Sequence, residues 1–445
     1  MTWFIFAYFV LLNGACLALH FFGLLRLHRD SRTKLLNDMP RLYSGLEPGI
    51  TIVLAASNAQ AGIAASVHAM LQLAYPEFEI IVINDGSSDA TLDVLMQEFA
   101  LVPFPEAYRQ RLKTSPIRAI FRSSRFYKLR VIDKVQGGRA DALNAGINAA
   151  RHPLVCVVDA DSVLERGSLD HMVRPFLRDP AMVASAGTIR VLNGSEVQDG
   201  VATRIGLPRN LLALCQVVEY LRAFQFAPLG WSQLRAMLAV SGAFGLFRTE
   251  AVVEVGGYHT RGVGEGLDLV VRMHRVLRER GQLYRMEFVP DAICWSAVPD
   301  QLGTLRMQRI RWQHGLCEGL ASHWRMMFSR RGGTPGWLAF PFMVLFEWLG
   351  PLIEVAGCIF LLFAAAQGLI SWAVLATFVF LAIGLGILLS ASALLLEEMS
   401  FHLYPKLRQV ALLGLVAVAE NFGYRQLNGV WRLIGLMRWA LGRRL

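Results

Sequence analysis

Long apolar runs at both ends of the chain enclose a segment of ordinary soluble character. The first run, residues 4–25, holds about 22 mostly apolar residues, enough to cross a bilayer. After residue 330 the chain becomes apolar again, and residues 337–369 are predicted as one span kinked at Pro351. Residues 372–396 form a further predicted span, whereas residues 410–419 are too short for a regular crossing. The sequence therefore predicts an integral membrane protein with three spans and leaves a fourth open.

The charge distribution supports a membrane location. Hydrophobic residues make up 54% of the chain and charged residues only 18%, against about 25% charged in ordinary soluble domains. The formal net charge is +10, and basic residues flank the apolar runs: Arg26, Arg29, Arg32, Lys34, Arg443 and Arg444. Basic residues beside a span favour the cytoplasmic side. We therefore expect the N-terminus outside, the following segment in the cytoplasm, and no nucleic acid as a partner.

The central segment has the pattern of an α/β domain. Apolar, β-branched runs at residues 51–56, 79–85 and 154–162 predict buried strands, and residues 60–73, 89–100 and 140–150 predict helices. Strands that alternate with helices indicate a mostly parallel sheet covered on both faces. The predicted organisation is an N-terminal transmembrane helix (1–28), a cytoplasmic linker (29–49), an α/β domain (50–330), a membrane region with two clear spans and a third left open (331–424), and an interfacial amphipathic helix (425–445).

Acidic motifs follow two of the predicted strands. DGSSD at residues 85–89 follows one strand and opens a helix, and DADS at residues 159–162 follows another. Asp85 is a candidate for hydrogen bonds to a base or ribose. The alternative is that the motif only caps the following helix, through Ser87 and Ser88. Asp159 and Asp161, at i and i+2, point to the same side of an extended chain. Paired carboxylates with phosphate oxygens suit Mg²⁺ or Mn²⁺.

Two further motifs carry basic and aromatic side chains. GGRADALNAG at residues 137–146 is a glycine-rich entry to a helix, where Arg139 and the first backbone N–H groups favour a phosphate. QRIRW at residues 308–312 places Gln308 and Arg311 on one helix face, with Trp312 beside them. Arginine can neutralise a leaving diphosphate and tryptophan can stack on a sugar ring. An interfacial helix with Arg and Trp at headgroup depth is the alternative.

Taken in this order, the motifs resemble those of the membrane-bound family-two glycosyltransferases, which include cellulose, hyaluronan and chitin-oligosaccharide synthases. The segments SGAFGLFR (241–248), VGGYHT (255–260), LVVRMHR (269–275) and ENFGYRQL (420–427) belong to the resemblance as well. It implies a cytoplasmic GT-A domain with a Rossmann-like, mostly parallel sheet, joined to transmembrane helices. It also implies transfer of a sugar from a nucleotide diphosphate donor, usually UDP-linked, to a glycan or lipid acceptor with inversion.

The resemblance assigns roles to individual residues. The nucleotide-sugar site is assigned to Asn58, Asp85, Ser87, Arg139 and Asp159. Asp161 is assigned to the metal, Mg²⁺ or Mn²⁺, and Gln308, Arg311 and Trp312 to the acceptor and diphosphate side. The implied setting is polysaccharide synthesis at a bacterial inner membrane, where other membrane polysaccharide-assembly proteins are expected partners.

The sequence departs from the family where the catalytic base is expected. The family's GED-like motif is Gly264-Glu265-Gly266 here, and Gly266 cannot accept a proton. In one hypothesis the protein is a transferase in which Glu265 or Asp268 replaces the base. In the other it is an inactive relative that serves as a partner in a membrane polysaccharide assembly. The loss of a general base costs roughly 10² to 10⁴-fold in rate, so an enzyme of the first kind is expected to turn over slowly.

Two acidic residues lie within the predicted membrane region. Glu347 and Glu354 are seven residues apart and share one helix face. Ionisable residues in a span are candidates for function. A position of Glu347 at the headgroup level is the alternative.

Overall fold

The computed structural model describes residues 2–37, 45, 47–198, 201–260 and 262–442. The chain divides into two compact units. We name them the helical unit (Met1–Asn37, Ile205–Ala236 and Val298–Leu445) and the sheet unit (Asp38–Arg204 and Met237–Ala297). Residues 205–236 and 298–330, predicted within the α/β domain, thus belong with the apolar helices. Arg443, Arg444 and residues 38–44 and 46 of the predicted linker lie outside the described residues.

The strands all lie in the sheet unit. In chain order they are β1 (Ile50–Ala56), β2 (Phe78–Asp85), β3 (Leu101–Pro103), β4 (Ile117–Ser123), β5 (Leu129–Lys134), β6 (Leu154–Asp159), β7 (Val163–Leu164), β8 (Met182–Val191), β9 (Glu196–Gln198), β10 (Val201–Arg204), β11 (Phe244–Arg248) and β12 (Arg285–Ser296). The three strands that the sequence predicts correspond to β1, β2 and β6.

The helices occur in both units. In chain order they are α1 (Thr2–Asn37), α2 (Ile63–Leu71), α3 (Thr91–Glu98), α4 (Arg139–Ala149), α5 (Ser168–Arg178), α6 (Leu211–Leu221), α7 (Ala227–Gln233), α8 (Thr249–Glu254), α9 (Glu265–Glu279), α10 (Leu302–Ser322), α11 (Phe340–Phe342), α12 (Gly350–Ala366), α13 (Trp372–Ser400), α14 (Leu407–Ala419) and α15 (Tyr424–Ala440). Segments Arg222–Phe226, Pro335–Ala339 and Met343–Trp348 are π-helical, and Trp324–Met326 and Arg330–Gly332 are 3₁₀ turns.

One mixed sheet forms the centre of the sheet unit. Its order within the described residues is β3-β4-β5-β2-β1-β6-β11-β8-β12-β7, and β9 and β10 pair separately. Neighbours from β5 to β6 run parallel, as predicted for a Rossmann-like half. Antiparallel strands β3, β4 and β11 flank that parallel core. The carboxyl ends of β1, β2 and β6 therefore meet at one edge, where a parallel sheet binds its ligands.

Small residues let helix α4 lie close to the sheet. The helix has the sequence RADALNAGINA, and ten of its positions are buried. A Cβ atom at Gly146 would stand only 2.3 Å from Cγ1 of Val53 in β1. The close contact holds the start of α4, including Arg139, above the carboxyl ends of the parallel strands.

The helical unit contains the long apolar helices. Thr2–Arg29 of α1 and Trp372–Ser400 of α13 are long and apolar enough to cross a membrane. Segments Pro335–Trp348 and Gly350–Ala366 meet at a bend of 44° and can form a third, broken span. The bend lies next to Pro351, whose ring cannot continue a regular helix. Helix α1 runs on to Asn37, past the predicted end at residue 28, because no Gly or Pro interrupts residues 24–37.

Buried ion pairs join the elements of the helical unit. Glu420 is fully buried and accepts hydrogen bonds from Arg222, which follows α6, and from Ser390 of α13. Arg425 lies 3.3 Å from the same carboxylate. An unpaired buried carboxylate is costly, so these pairs explain why residues 205–236 group with the C-terminal helices.

Helix α15 also carries an inward-facing arginine. Its Arg432 donates to Glu347 at 2.6 Å, and the Glu347 carbonyl accepts from Gln313 at 2.8 Å. Arg425 and Arg432 were predicted to belong to an interfacial helix, but both make ion pairs with other elements of the helical unit. The location of α15 relative to a lipid surface stays a prediction.

Candidate active site

Two loops at the carboxyl edge of the sheet are tied together by Asn58 and Ser87. The backbone N–H of Asn58 donates to Ser87 Oγ at 3.0 Å, and the side-chain Oδ1 of Asn58 accepts from the backbone N–H of Ser88 at 2.9 Å. Asn58 has φ of 52°, a left-handed conformation that Asn tolerates better than most residues. These side chains therefore fix the shape of the DGSSD loop against the end of β1.

A buried charged centre lies at the end of β2. Lys134 is fully buried, and its Nζ lies 2.6 Å from both Asp85 Oδ1 and Asp141 Oδ1. The backbone N–H groups of Gly137 and Gly138 donate to the Asp85 carboxylate at 2.9 and 2.7 Å. Asp85 is only 3% exposed. Its carboxylate thus holds the glycine-rich loop in place, and Lys134 is a site residue that the sequence reasoning missed.

A second, more open charged centre surrounds Arg139, the first residue of α4. Its Nη2 and Nε donate to Asp159 Oδ1 at 2.7 and 3.2 Å, and its Nη1 donates to Glu265 Oε1 at 2.8 Å. Nη2 also donates to the carbonyl of Gly242 at 2.6 Å. The side chains of Arg139 and Asp159 are 32% and 37% exposed. Burial alone would lower the pKa of Arg139, but Asp159 and Glu265 raise it above its ordinary value.

Asp161 is the second carboxylate of the DADS motif. It is an exposed residue just beyond β6. Partial desolvation, and then the negative charge of Asp159, raise the pKa of Asp161 above its usual range. A bound cation would relieve both effects.

These carboxylates fit a magnesium or manganese ion that keeps ligands from outside the protein. In the described part of the chain, no group of three or more His, Cys, Asp or Glu side chains is placed to hold a metal by itself. Mg²⁺ commonly binds one or two carboxylates and completes its shell with water and substrate phosphates. Asp161, with Asp159 beside it, supplies that kind of partial shell.

Each of the two candidates for a replacement base, Glu265 and Asp268, forms an ion pair with an arginine. Glu265 begins α9 and accepts from Arg139, as described above. Asp268 lies one turn further on, where Arg272 Nε donates to it at 2.8 Å and His259 Nδ1 lies 3.1 Å away. An added Cβ at Gly266 would stand 3.3 Å from the Val240 carbonyl oxygen, slightly tighter than ordinary van der Waals contact, so a side chain there requires a small shift of that backbone.

The QRIRW motif lies on α10 in the helical unit. Trp312 is 39% exposed and Arg311 is also exposed, whereas Gln308 is half-buried. The guanidinium of Arg309 lies 4.6 Å from the centre of the Trp312 ring and pairs with Glu219 at 2.8 Å. Arg309 was not singled out from the sequence, and its buried ion pair fixes the orientation of the neighbouring Trp312.

The fold and the acidic strand ends define a GT-A-type glycosyltransferase domain accompanied by apolar helices. The family model described as Glycosyl transferase family group 2 matches residues 154–390, more than half of the chain. The model Glycosyl transferase family 2 matches residues 51–249. The chain therefore belongs to Glycosyl transferase family group 2, which confirms the predicted family and enzyme class.

Two curated relatives are polysaccharide synthases. The chain is 29% identical over 267 residues to the poly-β-1,6-N-acetyl-D-glucosamine synthase of Staphylococcus epidermidis, covering 60% of this chain and 54% of the relative. It is 30% identical over 280 residues to the Staphylococcus aureus enzyme of that name, covering 63% and 57%. The chain thus spans just over half the length of these relatives.

A solved structure shares the fold. It is a mannosyltransferase from Pyrobaculum calidifontis, determined in complex with GDP-mannose and Mn²⁺, with a TM-score of 0.52 and 17% sequence identity. The match covers 98% of this chain and all of the other. The likeness confirms the predicted fold class.

Proposed function

We propose that the protein transfers a sugar from a nucleotide diphosphate donor to a glycan or lipid acceptor, with inversion at the anomeric carbon, in polysaccharide synthesis. UDP-N-acetylglucosamine is the first donor to test. The names of the staphylococcal relatives indicate N-acetylglucosamine polymers, and the resemblance favours a UDP-linked sugar.

The observation that carries this proposal is the position of Asp159 and Asp161. Asp159 ends β6 and Asp161 follows it, at the same sheet edge as the DGSSD loop at the end of β2, with β1 between the two strands. The mannosyltransferase with the same fold was solved with a nucleotide sugar and Mn²⁺. In our proposal Asp161 would hold Mg²⁺ or Mn²⁺, and the ion would supply positive charge for the leaving diphosphate. Asp159 and the loop formed by Asn58 and Ser87 bind the nucleotide.

We assign Asp85 an indirect part in donor binding. Its carboxylate accepts hydrogen bonds from Lys134 and from two amides of the glycine-rich loop. The loop leads directly into α4, whose first backbone N–H groups favour a phosphate. Asp85 therefore shapes the phosphate-binding loop.

The membrane setting completes the proposal. The protein is a membrane protein. The basic residues after the first span support a cytoplasmic sheet unit, on the side where nucleotide sugars are available. We propose a bacterial inner membrane as its location and membrane polysaccharide-assembly proteins as its partners. By the resemblance, Gln308, Arg311 and Trp312 serve the acceptor and the leaving diphosphate.

The test is the release of free nucleotide by the full chain in detergent. A panel of UDP- and GDP-sugars with Mg²⁺ or Mn²⁺ is offered to the wild type, to Gly266→Asp and to Gly266→Ala as the control for side-chain size. We expect slow, sugar-selective release by the wild type. Gly266→Asp restores a carboxylate at the base position and should be faster by about 10² to 10⁴-fold, whereas Gly266→Ala should not be.

Other outcomes change the proposal in defined ways. Fast release by the wild type, with no gain in Gly266→Asp, would show that the base lies elsewhere. No release by any variant with any donor would contradict the proposed reaction. It would favour the alternative, a glycosyltransferase fold that serves as a partner in a polysaccharide assembly.

A further inference from the structure

The contacts of Arg139 connect the DADS motif with the segment that departs from the family. Arg139 donates to Asp159 at the end of β6, to Glu265 at the start of α9 and to the Gly242 carbonyl. All of these residues belong to the sheet unit. The guanidinium is thus held from three directions, and Asp159 and Glu265 are joined through one cation.

The backbone at Gly242 is shaped around this guanidinium. An added Cβ at Gly242 would stand 3.2 Å from Nη2 and 3.3 Å from Nη1 of Arg139. These distances are tighter than ordinary van der Waals contact, so a side chain there would press on the guanidinium. The absence of a side chain at Gly242 is an observation independent of the ion pairs, and it supports a fixed position for Arg139.

We propose that Glu265 is a positioning residue of the donor site, acting through Arg139 and not as the catalytic base. The inference rests on the proposed function. Glu265 fixes Arg139 so that its Nη2 and Nε bind Asp159 Oδ1. Because Arg139 occupies Oδ1 of Asp159, Asp161 would be the principal metal ligand.

The charges of the cluster agree with this role. Asp159, Asp161 and Glu265 are three carboxylates against one guanidinium, an excess of two negative charges that matches one divalent cation. The side chain of Glu265 is only 16% exposed, and its Oε1 accepts from Arg139. That oxygen is already engaged by the guanidinium at 2.8 Å, which argues against Glu265 as the base.

A double-mutant cycle tests whether Glu265 acts through Arg139. The binding of UDP in the presence of Mn²⁺ is measured by calorimetry for the wild type, Glu265→Gln, Arg139→Gln and the double variant, each as the full chain in detergent. We expect Glu265→Gln to weaken binding about 5- to 10-fold in the wild type and less than twofold in Arg139→Gln. Gln has nearly the shape of Glu, and an unchanged unfolding temperature shows that the variant is folded.

A second measurement distinguishes positioning from base catalysis. If Glu265 only positions Arg139, Glu265→Gln should raise KM more than it lowers kcat and should keep the wild-type pH profile of kcat. Glu265→Asp, which keeps the charge, should recover part of the affinity. Loss of the acidic limb of the pH profile, the fall in kcat at low pH that protonation of a general base causes, would show in Glu265→Gln that Glu265 is the base and overturn the proposal.

The outcomes separate this inference from the proposed function. Equal losses from Glu265→Gln in both backgrounds would overturn the positioning role and leave the transferase proposal in place. A wild type that binds neither UDP nor GDP with Mn²⁺ would overturn both.

Discussion

Two charged centres on either side of the glycine-rich loop differ in how far water reaches them. Lys134 is fully buried between Asp85 and Asp141, which are themselves 3% and 5% exposed. Arg139, five residues later, binds Asp159 and Glu265, and about a third of its side chain is exposed. Both centres pair one cation with two carboxylates, but only the second is open to a ligand.

The difference in exposure separates structural from functional charges. Breaking a buried pair leaves an uncompensated charge in a medium of low dielectric constant, so loss of the Lys134 centre should strongly destabilise the fold. A pair that is partly open to water contributes less stability, because water can replace part of what the lost partner supplied. Breaking the Arg139 centre should therefore cost the fold less than breaking the Lys134 centre.

The largest expected effect is on stability at the buried centre. Lys134→Met leaves Asp85 and Asp141 without their cation and should destabilise the protein by about 3–5 kcal/mol. Thermal unfolding of the purified chain in detergent measures the change. The matched control is Arg139→Met, for which we expect a loss of no more than about 1 kcal/mol. Similar losses in the two variants would break the distinction between the centres.

The next effect concerns ligand binding at the open centre. Asp161→Asn removes the proposed metal ligand with almost no change in shape. We expect the affinity for UDP with Mn²⁺ to fall by roughly 10²-fold while the unfolding temperature stays within a few degrees. The same measurement in EDTA is the control, and there the variant and the wild type should bind equally. A loss of the same size without metal would assign Asp161 to the nucleotide instead.

A smaller effect is expected from pH at another buried group of the sheet unit, His274. Its Nε2 lies 2.6 Å from the Met237 carbonyl oxygen and its Nδ1 lies 2.7 Å from the Tyr284 hydroxyl. Burial lowers the pKa of His274 to about 4, from 6.5. Because the folded protein holds the neutral ring, stability is complete above about pH 6.5 and falls as the pH drops toward 4.

The predicted loss between pH 7 and pH 5 is about 2 kcal/mol. Thermal unfolding of the wild type and of His274→Gln over this range isolates the contribution of the histidine, since Gln does not titrate. The stability of His274→Gln should fall less steeply. Parallel curves would show that His274 does not titrate differently in the folded and unfolded states.

Some features of the site could be predicted from local sequence. The apolar runs ending in Asp85 and Asp159 predict two strands whose acidic ends meet at one edge, and the register of β1 with β2 and β6 confirms it. Lys134 gave no such signal. Its run LRVIDK ends in a charged pair typical of an exposed strand end, whereas the fold buries it between carboxylates from β2 and α4. Pairings between residues so distant in the chain are invisible to local patterns.

The sequence by itself determined the class of this protein. Apolar runs of membrane length and strand–helix alternation depend on local periodicity and composition, so they predict membrane helices and an α/β sheet without knowledge of contacts. The spacing of DGSSD, DADS and QRIRW likewise identified the family.

Only the tertiary structure decided the roles of the individual charges. Glu265 and Asp268 are both acidic and near the missing base. Asp268 pairs with Arg272 four residues further along the same helix, whereas the pairing of Glu265 with Arg139, 126 residues away, comes only from the tertiary fold. Residues 205–236 belong to the helical unit, where Arg222 forms an ion pair with Glu420. Which charges are buried and which remain open depends on packing between separate elements of the fold, and that packing sets the electrostatic cost of each pair.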